Sequence, residues 1–240
     1  MLADMIFVRK SIRKFEPGPL DEGTLGVLWE RIGQVVALFP DVAYEMRILS
    51  CKEVGASIKA PHYLVFYAEA KEERYFQCGF VMQQMDLTLC EMGLGSCWVG
   101  MGKPIADLRE IDGKSAVMVL AFGQGIGPLQ RTNSQEFRRK PLEKVSNLTD
   151  RRMEAVRVAP SSMNSQPWFF HGEEDGTVQV FANRHPFIGF ITGKLNQADV
   201  GIALCHFHLV AESMGQTVTY EKTPVEAPKG LDYVITARTK

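Results

Sequence analysis

Two stretches of this chain carry apolar residues at helical spacing and run straight into a glycine. In the first, Met82, Met85, Leu89 and Met92 precede Gly93; in the second, Ala203, Phe207, Val210 and Met214 precede Gly215. That spacing lays one apolar stripe along a helix, and glycine accepts the left-handed backbone that commonly closes one. Core helices are therefore predicted over about 79–93 and 201–215. Another is predicted from about Asp21, an N-cap just after Pro19, with Leu25, Leu28, Trp29, Ile32 and Val36 turned inward. Runs rich in Val, Ile, Tyr and Phe predict strands at 63–68, 116–122, 168–170, 178–182 and 233–237. Helices and strands alternate irregularly, so the expected fold class is α+β, with helices flanking mixed or antiparallel sheets.

The two glycine-ended blocks also align on each other without gaps, Gly79 on Gly201 and Gly93 on Gly215, an offset of 122 residues. The same offset lays Val36-Ala37 on Val158-Ala159, and Tyr44 to Leu49 roughly on the aromatic run after Gln166. A period of about half the chain predicts two pseudo-repeated halves, 1–130 and 149–240, joined by a connecting segment at 131–148. Gly123, Gly125 and Gly127 open the stretch between them and superficially look like a dinucleotide loop. Pro128 and the polar run behind it offer no helix whose amino end could hold a pyrophosphate, which excludes that reading.

Composition narrows the functional classes. With 45% hydrophobic and 23% charged residues the 240-residue chain is ordinary globular material, and a net charge of −1 gives no general reason to bind nucleic acid or an anionic membrane. Five cysteines without a C-x-x-C pair indicate free thiols in a reducing compartment, with neither a disulfide framework nor a zinc module. The apolar run at 5–8 is too brief for a secretory signal, and no stretch approaches the ~20 apolar residues of a membrane span, so a cytoplasmic location is expected.

Chemistry concentrates in a few places. Arg9, Ser11 and Arg13 alternate, so in extended chain they face one way and suit a phosphate. Pro160, Ser161, Ser162, Asn164 and Gln166 pack short polar side chains ahead of Pro167 and an aromatic strand; they suit a flat polar heterocycle, and a plain turn, which has little need of the Asn-x-Gln-Pro-Trp that follows, is the alternative. Gly93 reads as a helix cap or as room for close approach to a ligand. Cys97 reads more readily as a small buried hydrophobe than as a redox thiol. His206 and His208 stand two apart on a helix, share no face, and predict no metal site.

Four segments, 9–15, 93–100, 138–145 and 159–170, together make the chain resemble the nitroreductase superfamily of FMN-dependent oxidoreductases. Members of that family are usually homodimers with each flavin at the subunit interface. Here the order departs from the pattern: the Pro-Ser segment lies in the second half, and the Arg-Ser-Arg and Gly-Leu-Gly-Ser-Cys-Trp motifs in the first. The resemblance then implies a fused pseudo-dimer holding one FMN, monomeric or weakly oligomeric. It implies that Arg9, Ser11 and Arg13, helped by Arg138 and Arg139, bind the phosphate. Pro160, Ser161, Ser162 and Asn164 would meet the ring and ribityl chain with Gln166 supporting them, and the backbone of Ser96, Cys97, Trp98, Val99 and Gly100 would meet the ring edge. The implied reaction passes hydride from NAD(P)H to a small acceptor such as a nitroaromatic, quinone or conjugated carbonyl compound, with no catalytic side chain or metal. The alternative is a non-catalytic flavin-binding or sensing protein.

Overall fold

The computed structural model describes residues 1–183, 190–223 and 225–240, which form two compact units, Met1–Ser134 and Gln135–Lys240. The first unit contains α1 (Leu2–Met5), α2 (Glu22–Ile32), β1 (Tyr44–Ser50), β2 (Val54–Gly55), β3 (His62–Ala68), α3 (Arg74–Glu91), β4 (Gly95–Val99), β5 (Lys103–Pro104), β6 (Glu110–Ile111) and β7 (Lys114–Gly123). Its main sheet runs β1-β3-β7-β4 with every pair antiparallel, and β6 adds to β7. The second unit contains α4 (Arg151–Val158), β8 (Trp168–Gly172), β9 (Thr177–Asn183), α5 (Phe190–Ser213), β10 (Val218–Glu221) and β11 (Leu231–Thr239). Its antiparallel sheet runs β8-β9-β11-β10. Apart from the short strands and α1, both units thus follow the chain order helix, two strands, helix, two strands, and thread their sheets alike.

Each predicted strand lies within an observed one, and the two glycine-ended helices are α3 and α5. Gly93 and Gly215 take φ of 73° and 79° just past them, with Leu94 N–H closing on the Leu89 carbonyl and Gln216 N–H on that of Ala211. From Gln77 to Cys90, α3 is buried around its whole circumference, which explains its weak amphipathic pattern. Its buried glutamines bond the irregular chain before β1: Gln77 Oε1 accepts from the Leu38 and Phe39 amides, and the Gln84 amide pairs with both backbone groups of Val36.

Asp21 does cap α2, its carboxylate accepting from Thr24 N at 2.9 Å. The inward stripe is narrower than predicted, however. Leu28 is buried and Leu25 and Ile32 partly so, but Trp29 is about half exposed, and Val36 lies exposed beyond the helix, which stops at Ile32.

One feature of the first unit positions the chemistry. Residues 9–16 lie extended against β4 on one side and 124–130 on the other, through bridges Arg9 to Gln130, Ser11 to Ser96 and Phe15 to Gly125. Ile12 N–H bonds the Ser96 carbonyl at 2.8 Å, and Glu16 N–H the Gln124 carbonyl at 2.9 Å. Glycines make this possible: a Cβ on Gly95 would stand 2.8 Å from Ile12 Cγ2 and 3.0 Å from Gly125 Cα. The glycine-rich run that imitates a dinucleotide loop therefore serves backbone packing.

Candidate functional site

In the first unit the alternation of Arg9, Ser11 and Arg13 produces a graded series. Arg9 is 2% exposed, with its Nε 2.8 Å from Asp86 Oδ2 on α3 and its NH2 bonding Ser11 Oγ at 3.0 Å. Asp86 is fully buried and also accepts from Ser96 Oγ at 2.5 Å. The Arg131 guanidinium closes on the Arg9 carbonyl. Beside the phosphate role expected of Arg9 stands a structural one, since its guanidinium faces a buried carboxylate. Arg13, four residues on, is exposed and forms no hydrogen bond or ion pair among the described residues.

The expected ring-edge segment is β4. Ser96 donates its hydroxyl to Asp86, and its carbonyl accepts from Ile12 N–H. Trp98 Nε1 bonds Gln83 Oε1 at 3.2 Å, Val99 is buried and Gly100 is exposed. Cys97 is buried and hydrogen-bonds Ser11; burial pushes its thiol above the ordinary range, against the pull of Arg13 and Arg9. It stays a neutral thiol, as the reading of a buried hydrophobe requires.

In the second unit, 159–166 forms a turn whose backbone is unusual. Met163, Asn164 and Gln166 have φ of 52°, 56° and 44°, left-handed values that cost a non-glycine residue roughly 1–2 kcal/mol each. Surrounding groups hold them there. The Arg139 Nε donates to the Ala159 carbonyl at 3.1 Å, and its NH1 to Asn164 Oδ1 at 2.5 Å. Asn164 Nδ2 returns a bond to the Arg138 carbonyl, and Lys140 Nζ donates to the Ser165 carbonyl at 2.6 Å. Gln166, fully buried, donates its N–H to Ser161 Oγ, accepts from Lys140 N and donates from its side chain to the Arg157 carbonyl.

Arg139 and Asn164, expected at the phosphate and the flavin, brace each other and so also support the loop. Ser161 supplies an internal acceptor. Pro160 is half-buried, Arg138 is exposed with no side-chain partner among the described residues, and the Ser162 hydroxyl likewise has none. Trp168 is fully buried core.

Two acids escaped the sequence reading. Asp86 underlies the Arg9 network; Asp199, 3% exposed on α5, accepts the Ser162 amide on both oxygens at 2.9 and 3.0 Å. Burial pushes the Asp199 carboxyl up to about 7, with the Ser162 bond opposing. The available signal was an aspartate within an otherwise apolar helical run, a pattern that demands a partner. His206 Nδ1 lies 2.8 Å from the Ala155 carbonyl, and His208 faces Glu212. No helix among the described residues is long and apolar enough to cross a membrane.

Comparisons with known proteins place this geometry. The family model described as "Putative TM nitroreductase" matches residues 1–211. The solved structure of a nitroreductase of that description from Thermotoga maritima superposes with a TM-score of 0.66 at 18% identity, over 98% of this chain and 92% of that one. A nitroreductase family protein from Clostridium difficile aligns with 62% of this chain and 98% of its own, with a TM-score of 0.50 at 16% identity. No curated protein matches significantly.

Proposed function

The chain belongs to the "Putative TM nitroreductase" family, and on that premise we propose that it is an FMN-dependent oxidoreductase passing hydride from NADH or NADPH to a small acceptor such as a nitroaromatic, quinone or conjugated carbonyl compound. The observation that carries the reading is the strained turn at 162–166. Three non-glycine residues in left-handed backbone, braced from Arg138, Arg139 and Lys140, leave the Ser162 hydroxyl without a partner among the described residues. Strain over-determined by its surroundings is characteristic of ligand-binding loops.

The residues present fit a flavin mononucleotide. In the second unit Arg138 is exposed with no side-chain partner among the described residues, and its guanidinium suits charge-assisted bonds with a phosphate dianion; Arg13 in the first unit is by itself another such group. Ser162 is suited to the ribityl chain or ring, with Pro160 beside it as an apolar contact. FMN, when bound, supplies the hydride-accepting ring. The protein's share is to hold and orient it.

The test is FMN titration of the whole chain. Whichever of Arg13→Ala and Arg138→Ala removes a phosphate ligand should weaken FMN by roughly ten- to a hundredfold, from ~1.5–3 kcal/mol per charged hydrogen bond, with no change in the thermal stability of the flavin-free protein. Unchanged affinity in both variants removes the phosphate assignment. Rapid bleaching of the bound flavin by NADH or NADPH separates an enzyme from a sensor.

A further inference from the structure

Asp199 is an expensive residue for its place. It stands on α5 just before the apolar run from Val200 to Leu204, is 3% exposed, and receives one hydrogen-bond donor among the described residues, the Ser162 amide. An ionised carboxylate buried with a single donor is poorly compensated. The donor is the first residue of the turn whose next members, Met163 and Asn164, are left-handed.

The charged side chains on elements packed around α5 are engaged elsewhere. On α4 Arg157 bonds Glu154, Arg152 bonds Asp150 while lying over the Phe207 ring of α5, and Arg151 is exposed; Arg139 and Lys140 bond carbonyls of the loop, and Glu221 on β10 bonds Arg238. The Tyr220 hydroxyl on β10 is buried, β9 has no titratable residue, and α5 itself carries Lys194, Cys205, His206, His208 and Glu212. Burial is accordingly the leading cause of the raised carboxyl, which titrates at about 7.

We propose that Asp199 is a positioning residue for the flavin loop: its charged carboxylate clasps the Ser162 amide between two oxygens, holds the Ser162 hydroxyl in its binding orientation, and so couples FMN affinity to the protonation of this carboxyl. The proposal rests on the reading that Ser162 contacts FMN. When protonated, the carboxyl offers one good acceptor and an O–H for which the loop amide is no partner; when ionised, both oxygens accept. Linkage makes the effect reciprocal. If the clasped loop binds FMN better, bound FMN favours ionisation of Asp199 by the same factor.

Two measurements test it. In flavin-free protein the Ser162 amide resonance should titrate with a midpoint near neutrality and lose that titration in Asp199→Asn, which keeps an acceptor but no charge. A flat resonance in the parent protein overturns the clasp. FMN dissociation constants of parent and Asp199→Asn are then compared between about pH 6 and about pH 8. The FMN phosphate titrates alike in both, so its effect cancels in the ratio. The ratio of variant to parent should rise roughly threefold or more toward high pH. A constant ratio overturns the coupling. Absence of FMN binding by the parent at every pH overturns the cofactor reading and the coupling with it, while the amide titration still decides whether Asp199 anchors the loop.

Discussion

Replacing Arg9 by Met tests whether the most arginine-like part of the amino-terminal motif serves a ligand or the fold. The substitution keeps length and apolar bulk but removes the charge facing Asp86, leaving a fully buried carboxylate with Ser96 Oγ as its remaining strong partner. Breaking a buried pair from one side typically costs about 3–5 kcal/mol, against at most about 1 kcal/mol for an exposed pair. In a chain of this size that lowers Tm by about 10 °C. Adding Asp86→Asn removes the stranded charge while keeping an acceptor for Ser96, so the double variant should recover most of the loss. A coupling energy of at least about 2 kcal/mol is expected from the cycle. The assay is urea and thermal unfolding of the four proteins, followed by Trp fluorescence and circular dichroism to establish that both report one transition. Arg9→Met within 1 kcal/mol of the parent, with FMN affinity lost, would refute the structural role and leave Arg9 as a phosphate ligand.

Two further outcomes follow from the same geometry. The Asp199 carboxyl sits at about 7 against an ordinary value of 3.8, so the folded state holds a proton that the unfolded chain releases between those values. Stability due to this group is complete below about pH 4 and is lost as pH rises through about 7; Asp199→Asn should therefore match the parent near pH 4 and exceed it near pH 8 by up to about 4 kcal/mol in denaturant unfolding. An equal difference at both pH values would contradict this. Gly95→Ala would place a methyl 2.8 Å from Ile12 Cγ2 and should cost about 1–3 kcal/mol, while Gly18→Ala, with open space around it, should be neutral; thermal unfolding decides.

Much of the architecture was legible because it rests on local periodicity. The strands at 63–68 and 116–122 are apolar and β-branched or aromatic, and Gly93 and Gly215 mark the helix ends they close. β4 was less visible, since Gly95-Ser96-Cys97 carries little strand signal and is held by pairing with β7, and β10 escaped because its strand-prone Val218-Thr219-Tyr220 is part of a run of only four residues. Trp29 misled because an aromatic at helical spacing looks like core, whereas α2 buries only a narrow stripe. At the site, sequence identified the segments but not the division of labour within them. Arg9 and Arg13 are the same residue type two positions either side of Ser11; what separates them is a distant acid, Asp86, whose partnership only the tertiary structure reveals.

The strip at 9–16 has a temporal consequence. Its partners reach from β4 to Gln130 and Arg131, so its pairing cannot be completed until residues more than a hundred positions later have been synthesised. Such distant contacts make folding slow and leave an unpaired strand edge waiting in the nascent chain. Translation that pauses before the codon for Gln130 would prolong that exposure, whereas a circular permutant joining this strip directly behind residue 131 would shorten it.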